Sequence, residues 1–297
     1  DIMRGFLQGS ATAMITPFTD DGINFDCFGK MIEHQIKGGT DALVILGTTG
    51  EPATMSETEK EKLMRYAVER AKGRIKLFGT GGNNTEKAVA MTGLAESLGA
   101  DGILAVTPYY NKCTQNGLVE YYKAICGATS LPVICYNVPG RTGVNILPAT
   151  MERIADIPNM AGIKEASGNM QQVMETARRI RGKCDLYSGE DALNLPILCV
   201  GGKAVISVVS NLVPDQVKLL VRCVQNGDLS AANNVNDTLL PLINACFAEV
   251  NPIPVKAAMN LLGFDAGIPR APLTPIEPEH LRLLKDALNE NLIEVNA

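Results

Sequence analysis

The chain has 297 residues, 46% of them hydrophobic and 20% charged, a balance that lets a globular protein bury a large core without staples. The formal net charge of -5 argues against a nucleic-acid binder, which carries a basic face, but leaves room for a small anionic substrate held by one local arginine. Trp is absent and aromatics reach only 5%, which argues against a large aromatic-lined pocket.

Short apolar runs recur along the chain, separated by helical patterns. The predicted strands are residues 11–16, 42–47, 76–79, 102–107, 132–137, 161–165, 185–188 and 204–209. Their cores are apolar or β-branched on both faces, as in Ile103-Leu104-Ala105-Val106, which is how strands of a parallel sheet covered on both sides read. Asp26 is placed to cap a helix carrying Phe28, Met31, Ile32 and Ile36, and Ser56-Glu57-Thr58-Glu59 has the form of a capping box. Pro148 and Pro214 suit first-turn positions, and Gly38-Gly39 and Leu98-Gly99 suit helix exits. Eight β-then-α units in a row mean an open doubly wound sheet or a closed barrel, and the number eight favours the barrel. The eighth unit ends near Gln225-Asn226-Gly227, and helices are predicted at 229–250, 254–262 and 278–292, with a Pro-rich connector at 267–275. The expected architecture is thus an α/β chain with a (β/α)8 TIM barrel over residues 1–227 and a C-terminal helical extension over 228–297.

The eight cysteines are scattered, none in a CxxC pair, and several sit in apolar runs such as Val133-Ile134-Cys135 and Ile197-Leu198-Cys199, so buried free thiols in a reducing compartment are expected. The only histidines, His34 and His280, lie at opposite ends, and no metal site is expected. No run of 18 apolar residues suggests a membrane span, and Asp1-Ile2-Met3-Arg4-Gly5 has no signal-peptide pattern, so a cytoplasmic location is expected.

Barrel enzymes place their chemistry at the C-terminal ends of the strands. Polar residues there are Gly47-Thr48-Thr49-Gly50-Glu51 after strand two and Thr107-Pro108-Tyr109-Tyr110-Asn111 after strand four. Strand five ends in Tyr136-Asn137-Val138-Pro139-Gly140-Arg141-Thr142-Gly143, strand six carries Lys164, and strand seven ends in Ser188-Gly189-Glu190-Asp191. A lysine inside a buried strand loses solvation for its charged form, so its pKa falls and the neutral amine becomes a nucleophile for a ketone. The alternative is a lysine that snorkels out or pairs with a carboxylate. Thr48, Tyr110 and Tyr136 are hydroxyls on different loops that converge only if the barrel closes; together they make a proton shuttle, separately each tyrosine is a core aromatic. Arg141, in a Gly/Pro-rich loop, is either a carboxylate clamp or a solvated surface charge. Gly79-Thr80-Gly81-Gly82 lacks the endings of phosphate loops and reads as a tight turn. A phosphate-sugar barrel would want a Gly-rich loop after strands seven and eight, where this chain is acidic.

These loops, taken jointly from Gly9 to about Pro275, resemble the dihydrodipicolinate synthase and N-acetylneuraminate lyase family of class I aldolase barrels. The resemblance implies that Lys164 forms an imine with pyruvate, that Tyr136 is the general acid/base, and that Thr48 and Tyr110 complete a hydroxyl relay, Tyr110 from a neighbouring subunit. It implies Thr49 beside the pyruvate carboxylate, Arg141 on the carboxylate of the second substrate, and Ile206 and Gly189 lining the pocket. The lyases of the family usually carry a Ser-Thr pair in place of Thr48-Thr49 and lack the arginine, so the synthase branch is implied: pyruvate and L-aspartate 4-semialdehyde as substrates, no cofactor, a homotetramer built from tight dimers, and a place in lysine biosynthesis through diaminopimelate. The alternative is a pyruvate-dependent sugar-acid aldolase of the same family. Lysine-inhibited members commonly have His or Trp at Glu57, His at Lys60 and Glu at Lys87; with Asn83 and Tyr109 retained but a lysine at 87 facing the inhibitor's ammonium, weak or absent feedback is implied.

Overall fold

The computed structural model describes residues 3–291 and 293. Eight strands carry the sheet: β1 (Gly9–Ala13), β2 (Ala42–Ile45), β3 (Ile75–Gly79), β4 (Gly102–Val106), β5 (Val133–Asn137), β6 (Met160–Glu165), β7 (Asp185–Ser188) and β8 (Ala204–Ser207). They are hydrogen-bonded in the order β1-β8-β7-β6-β5-β4-β3-β2 as a closed barrel, the expected (β/α)8 architecture. Each strand is followed by a helix, from Phe25–Lys37 after β1 to Pro214–Gln225 after β8. Three more helices follow, Leu229–Cys246, Ile253–Leu261 and Pro278–Glu290. The predicted end of the last helix at Leu292 lies outside the described residues, as do Asp1, Ile2 and residues 294–297.

By its internal contacts the chain divides into two compact units, residues 1–9 with 75–206, and residues 10–74 with 207–297. In the first, the parallel ladder runs β3 to β8. Its register sets Tyr136 opposite Lys164, Lys164 opposite Tyr187, and Glu165 between Asn137 and Ser188. The β5 and β6 side chains are buried at every position, which is why both strands tolerate continuous apolar runs. In the second unit, β1 pairs with β2 from Ala11↔Ala42 to Ala13↔Val44, and the C-terminal helices pack with the loops that leave these strands.

Several local expectations hold for the reasons given. Ser56 and Glu59 form the reciprocal capping box, Pro148 and Pro214 open their helices, and Gly99 closes its helix in the left-handed region. Others are corrected. β1 ends at Ala13, not at residue 16. Met14, Ile15 and Thr16 are buried like strand residues, but past Met14 the ladder gives way to side-chain partners, Ile15 N–H donating to Asn211 Oδ1 at 3.3 Å. The first helix is capped by Asn24, whose side chain accepts from Cys27 N–H at 3.1 Å, so Asp26 sits in the first turn as a favourable charge. A short antiparallel ribbon, Phe18–Thr19 with Gly22–Ile23, was not expected; its two-residue turn is Asp20-Asp21, and Gly22 follows at positive φ. Gly81 serves close approach more than turning: a Cβ there would collide with the Val106 backbone. All eight cysteines are free, but Cys113 and Cys223 are half-buried, and Cys199 is exposed because the short helix Asn194–Cys199 turns its last residue outward.

Candidate active site

Lys164 is the central residue of the first unit. It sits on β6 with 6% exposure, and its amine lies 4.0 Å from the centroid of the Tyr136 ring on β5. Burial lowers its pKa from 10.5 to about 7; the negative Asp191 opposes that shift and the positive Arg141 adds to it. The amine is therefore substantially neutral near neutral pH, the form that attacks a carbonyl. Burial pushes the Tyr136 hydroxyl up to about 12, with Arg141 pulling it down and Glu190 pushing it further up. It stays protonated, able to donate. Lys164, Tyr136 and Arg141 thus share one electrostatic neighbourhood with Glu190 and Asp191.

Gly189, after β7, makes room for the lysine stem. A Cβ at this position would lie 2.7 Å from Lys164 Cγ and 2.9 Å from Cε, closer than real Cβ contacts come. Gly189→Ala is expected to displace the lysine and slow imine formation about 100-fold, overpacking costs of ~1–3 kcal/mol being usual in a filled core. Timing the borohydride-trapped adduct checks this, and an unchanged rate contradicts it. Ile206 is buried on β8, whose residues Ala204 and Val205 pair with Tyr187 and Ser188 of β7.

Arg141 lies on the four-residue helix Pro139–Thr142, exposed, and its loop is held by a buried polar network. Asn137 Nδ2 donates to Glu165 Oε1 at 3.2 Å and to Asn145 Oδ1 at 3.0 Å, and Asn137 Oδ1 accepts from Ile146 N–H at 2.9 Å. Asn145 Nδ2 donates to Gln172 Oε1 at 2.9 Å, and Ser167 N–H to Glu165 Oε1 at 2.9 Å. Burial raises the Glu165 carboxyl, and these donors pull it back. The loop carrying the arginine is therefore anchored from the residues next to Tyr136 and Lys164. Tyr110 stands apart from this cluster, 91% exposed with φ 70°. Asn111 N–H donates to Tyr109 O at 2.9 Å, and Asn111 Nδ2 to Asn83 O at 2.9 Å, which holds the loop in that conformation.

Thr48 and Thr49 belong to the second unit. They form a single 3-10 turn, Thr48–Gly50, bracketed by two non-glycine residues in the left-handed region, Leu46 at φ 62° and Glu51 at φ 58°. Such conformations cost about 1–3 kcal/mol each and persist where the surroundings hold them. Thr49 is buried, and its Oγ1 accepts from Asn251 Nδ2 at 2.9 Å. Thr16 Oγ1 donates to Gly50 O at 2.8 Å, tying the turn to the segment after β1. Of the expected inhibitor-pocket residues, Glu57 and Lys60 pair with each other at 2.9 Å on the helix Glu57–Arg70, while Asn83, Tyr109 and an exposed Lys87 lie in the first unit.

Glu190, Asp191, Asn137 and Glu165 were given no role by sequence reasoning, and neither were Asn251 and Lys256. Glu190 and Asp191 lie at a strand end already singled out; the signal for Lys256 was the same as for Lys164, a charge inside an apolar run. Among the described residues, no group of three or more His, Cys, Asp or Glu has the arrangement of a metal site, and no helix is long and apolar enough to cross a membrane.

Comparison with known proteins follows the same lines. Residues 6–291 match the Dihydrodipicolinate synthetase family. A protein of Caldicellulosiruptor bescii named 4-hydroxy-tetrahydrodipicolinate synthase is 47% identical over 290 residues, covering 97% of this chain and 98% of its own. One of Clostridium acetobutylicum named 4-hydroxy-tetrahydrodipicolinate synthase 1 is 48% identical over 282 residues, 95% of this chain and 96% of its own. The crystal structure of dihydrodipicolinate synthase from Thermotoga maritima superposes with a TM-score of 0.94 at 43% identity, covering 96% of this chain and 98% of that one.

Proposed function

This chain belongs to the dihydrodipicolinate synthetase family, and from that premise we propose that it condenses pyruvate with L-aspartate 4-semialdehyde through an imine on Lys164. It is an enzyme, a lyase of the class I aldolase type. The observation that carries the reading is the buried Lys164 amine, brought to about 7 and set against the Tyr136 ring. The neutral amine adds to the ketone carbon of pyruvate and water leaves, giving a protonated imine. That cation accepts the electron pair of a methyl C–H bond as its proton departs, giving an enamine. The enamine carbon attacks the aldehyde carbon, whose oxygen takes up a proton. The amino group of the second substrate then displaces Lys164 from the imine carbon, closing the ring and freeing the enzyme.

In this scheme Tyr136 gives and recovers the protons of imine formation and carbon–carbon bonding, in relay with Thr48 and Tyr110. Thr49 donates to the pyruvate carboxylate and Arg141 to that of the semialdehyde, where its planar fork suits a carboxylate. The Ile206 carbonyl and the Gly189 backbone complete the pocket. Tyr110, exposed and held at positive φ, supports a homotetramer of tight dimers in which it serves a neighbouring copy. The free thiols support a cytoplasmic setting. The division into a catalytic barrel over 1–227 and a helical extension over 228–297 is part of the same reading.

A substrate panel tests the proposal. Turnover of L-aspartate 4-semialdehyde with pyruvate, at a kcat/KM about 100-fold or more above that for sugar aldehydes, is expected because Arg141 suits a second carboxylate. Preference for a sugar aldehyde would make the chain a sugar-acid aldolase instead. Lysine at millimolar concentration is expected to leave the rate nearly unchanged, since Lys87 opposes its ammonium and Lys60 is engaged with Glu57. Inhibition at submillimolar lysine would overturn that part.

A further inference from the structure

The second unit contains a buried charged assembly that the scheme above does not use. Glu51 closes the Thr48–Gly50 turn in a left-handed conformation, and both of its carboxylate oxygens are engaged by the C-terminal segment. Lys256, fully buried on the helix Ile253–Leu261, donates to Oε2 at 2.6 Å. Arg270 N–H donates to Oε1 at 2.9 Å. The Arg270 guanidinium continues along the same loop, donating to Thr54 O at 3.0 Å and to both oxygens of Glu59 at 2.9 and 2.6 Å. Both cations lie over the Phe18 ring, Lys256 Nζ at 4.2 Å and the Arg270 guanidinium carbon at 4.0 Å from its centroid. A third anchor reaches the turn itself: the Asn251 amide donates to Thr49 Oγ1.

That last bond has a direction. An amide N–H only donates, so the Thr49 oxygen accepts and its own proton is left to point elsewhere. A hydroxyl in that state is a donor, suited to an anionic oxygen. We propose that Asn251, Lys256 and Arg270 are positioning residues for the ketoacid carboxylate: Lys256 and Arg270 hold the strained turn through Glu51, and Asn251 fixes the Thr49 hydroxyl as a donor toward the carboxylate. The inference rests on the reading of Thr49 as the partner of the pyruvate carboxylate. It makes the segment from Asn251 to Arg270, which carries the helix Ile253–Leu261, part of substrate recognition.

The test compares Asn251→Ala, Asn251→Asp, Thr49→Val and the Asn251→Ala/Thr49→Val double variant in the full chain. Pyruvate KM, semialdehyde KM, kcat and melting temperature are measured for each. Asn251→Ala is expected to raise the pyruvate KM about 10-fold, the order set by one hydrogen bond to a charged group, with kcat and semialdehyde KM within about 2-fold. Asn251→Asp, close to isosteric, is expected to raise it further, because its carboxylate accepts the threonine proton and repels the pyruvate anion. Thr49→Val should match Asn251→Ala, and the double variant should add little to either. An unchanged pyruvate KM in Asn251→Ala and Asn251→Asp, with an increase in Thr49→Val, refutes the inference and leaves the reading of Thr49 standing. An unchanged pyruvate KM in Thr49→Val refutes both. If Asn251→Ala does not fold, Asn251→Asp decides alone, and a lowered melting temperature without a change in pyruvate KM counts against the proposal.

Discussion

Lys164→Met is expected to abolish turnover, by at least ~10^4-fold, and at the same time to make the protein more stable. The loss follows from removing the only protein atom the scheme uses as nucleophile. The gain follows from burial. In the folded chain the Lys164 amine is held at about 7, against 10.5 for a solvated lysine, so between these values the unfolded chain binds a proton that the folded chain does not. Stability of the native protein therefore rises with pH across that window, and the full penalty is carried below about pH 7. Methionine fills nearly the same volume with nothing to desolvate. The variant should gain a few kcal/mol, up to ~4, at pH 6, with the gain fading as pH rises toward 10.5. Urea unfolding at pH 6 and pH 9.5 measures it. Equal stability of the two proteins at pH 6 would mean that burial does not disfavour the charged form of the lysine. The same ionisation should govern reactivity, so the rate of adduct formation with pyruvate rises through about pH 7.

Tyr136→Phe is expected to lower kcat about 100- to 1000-fold while leaving the imine detectable. The ring that lies 4.0 Å from the Lys164 amine is kept, so the lysine keeps its place. What is lost is a hydroxyl that burial holds protonated, its pKa pushed up to about 12. A single positioned acid/base typically contributes ~10^2–10^4 in rate. Steady-state kcat and the yield of borohydride-trapped adduct separate the two functions. A kcat near that of the native protein would remove Tyr136 from the proton relay.

Much of this was legible before the structure. Strands buried on both faces read as continuous apolar runs, and five of the eight begin and end within one residue of where the pattern says: β3, β4, β5, β6 and β7. Lys164 announces itself because a charge in such a run has no ordinary place. The misreadings share a cause, which is that apolar sequence reports burial and not geometry. Met14, Ile15 and Thr16 are as buried as β1, yet past Met14, which still donates to Val44 O, the ladder ends and Ile15 N–H turns to the Asn211 side chain on a distant segment. Cys199 ends an apolar run but is exposed, because a six-residue helix turns a different residue outward at each step. Asn24 displaced Asp26 as the cap because both have the right chemistry and only backbone geometry chooses between them. Long-range polar partnerships were out of reach. Glu51 and Lys256 are 205 positions apart, and Thr49 and Asn251 are 202 apart, so neither local pattern nor spacing joins them. Asn137 and Glu165 meet only because β5 and β6 pair in a register that sets Tyr136 beside Lys164.

The most direct test of the central claim is the intact mass of the protein after pyruvate and borohydride, for the native chain and Lys164→Ala. The account predicts one reduced pyruvyl adduct per native chain and none on the variant. No adduct on the native chain, or an equal adduct on both, would contradict it.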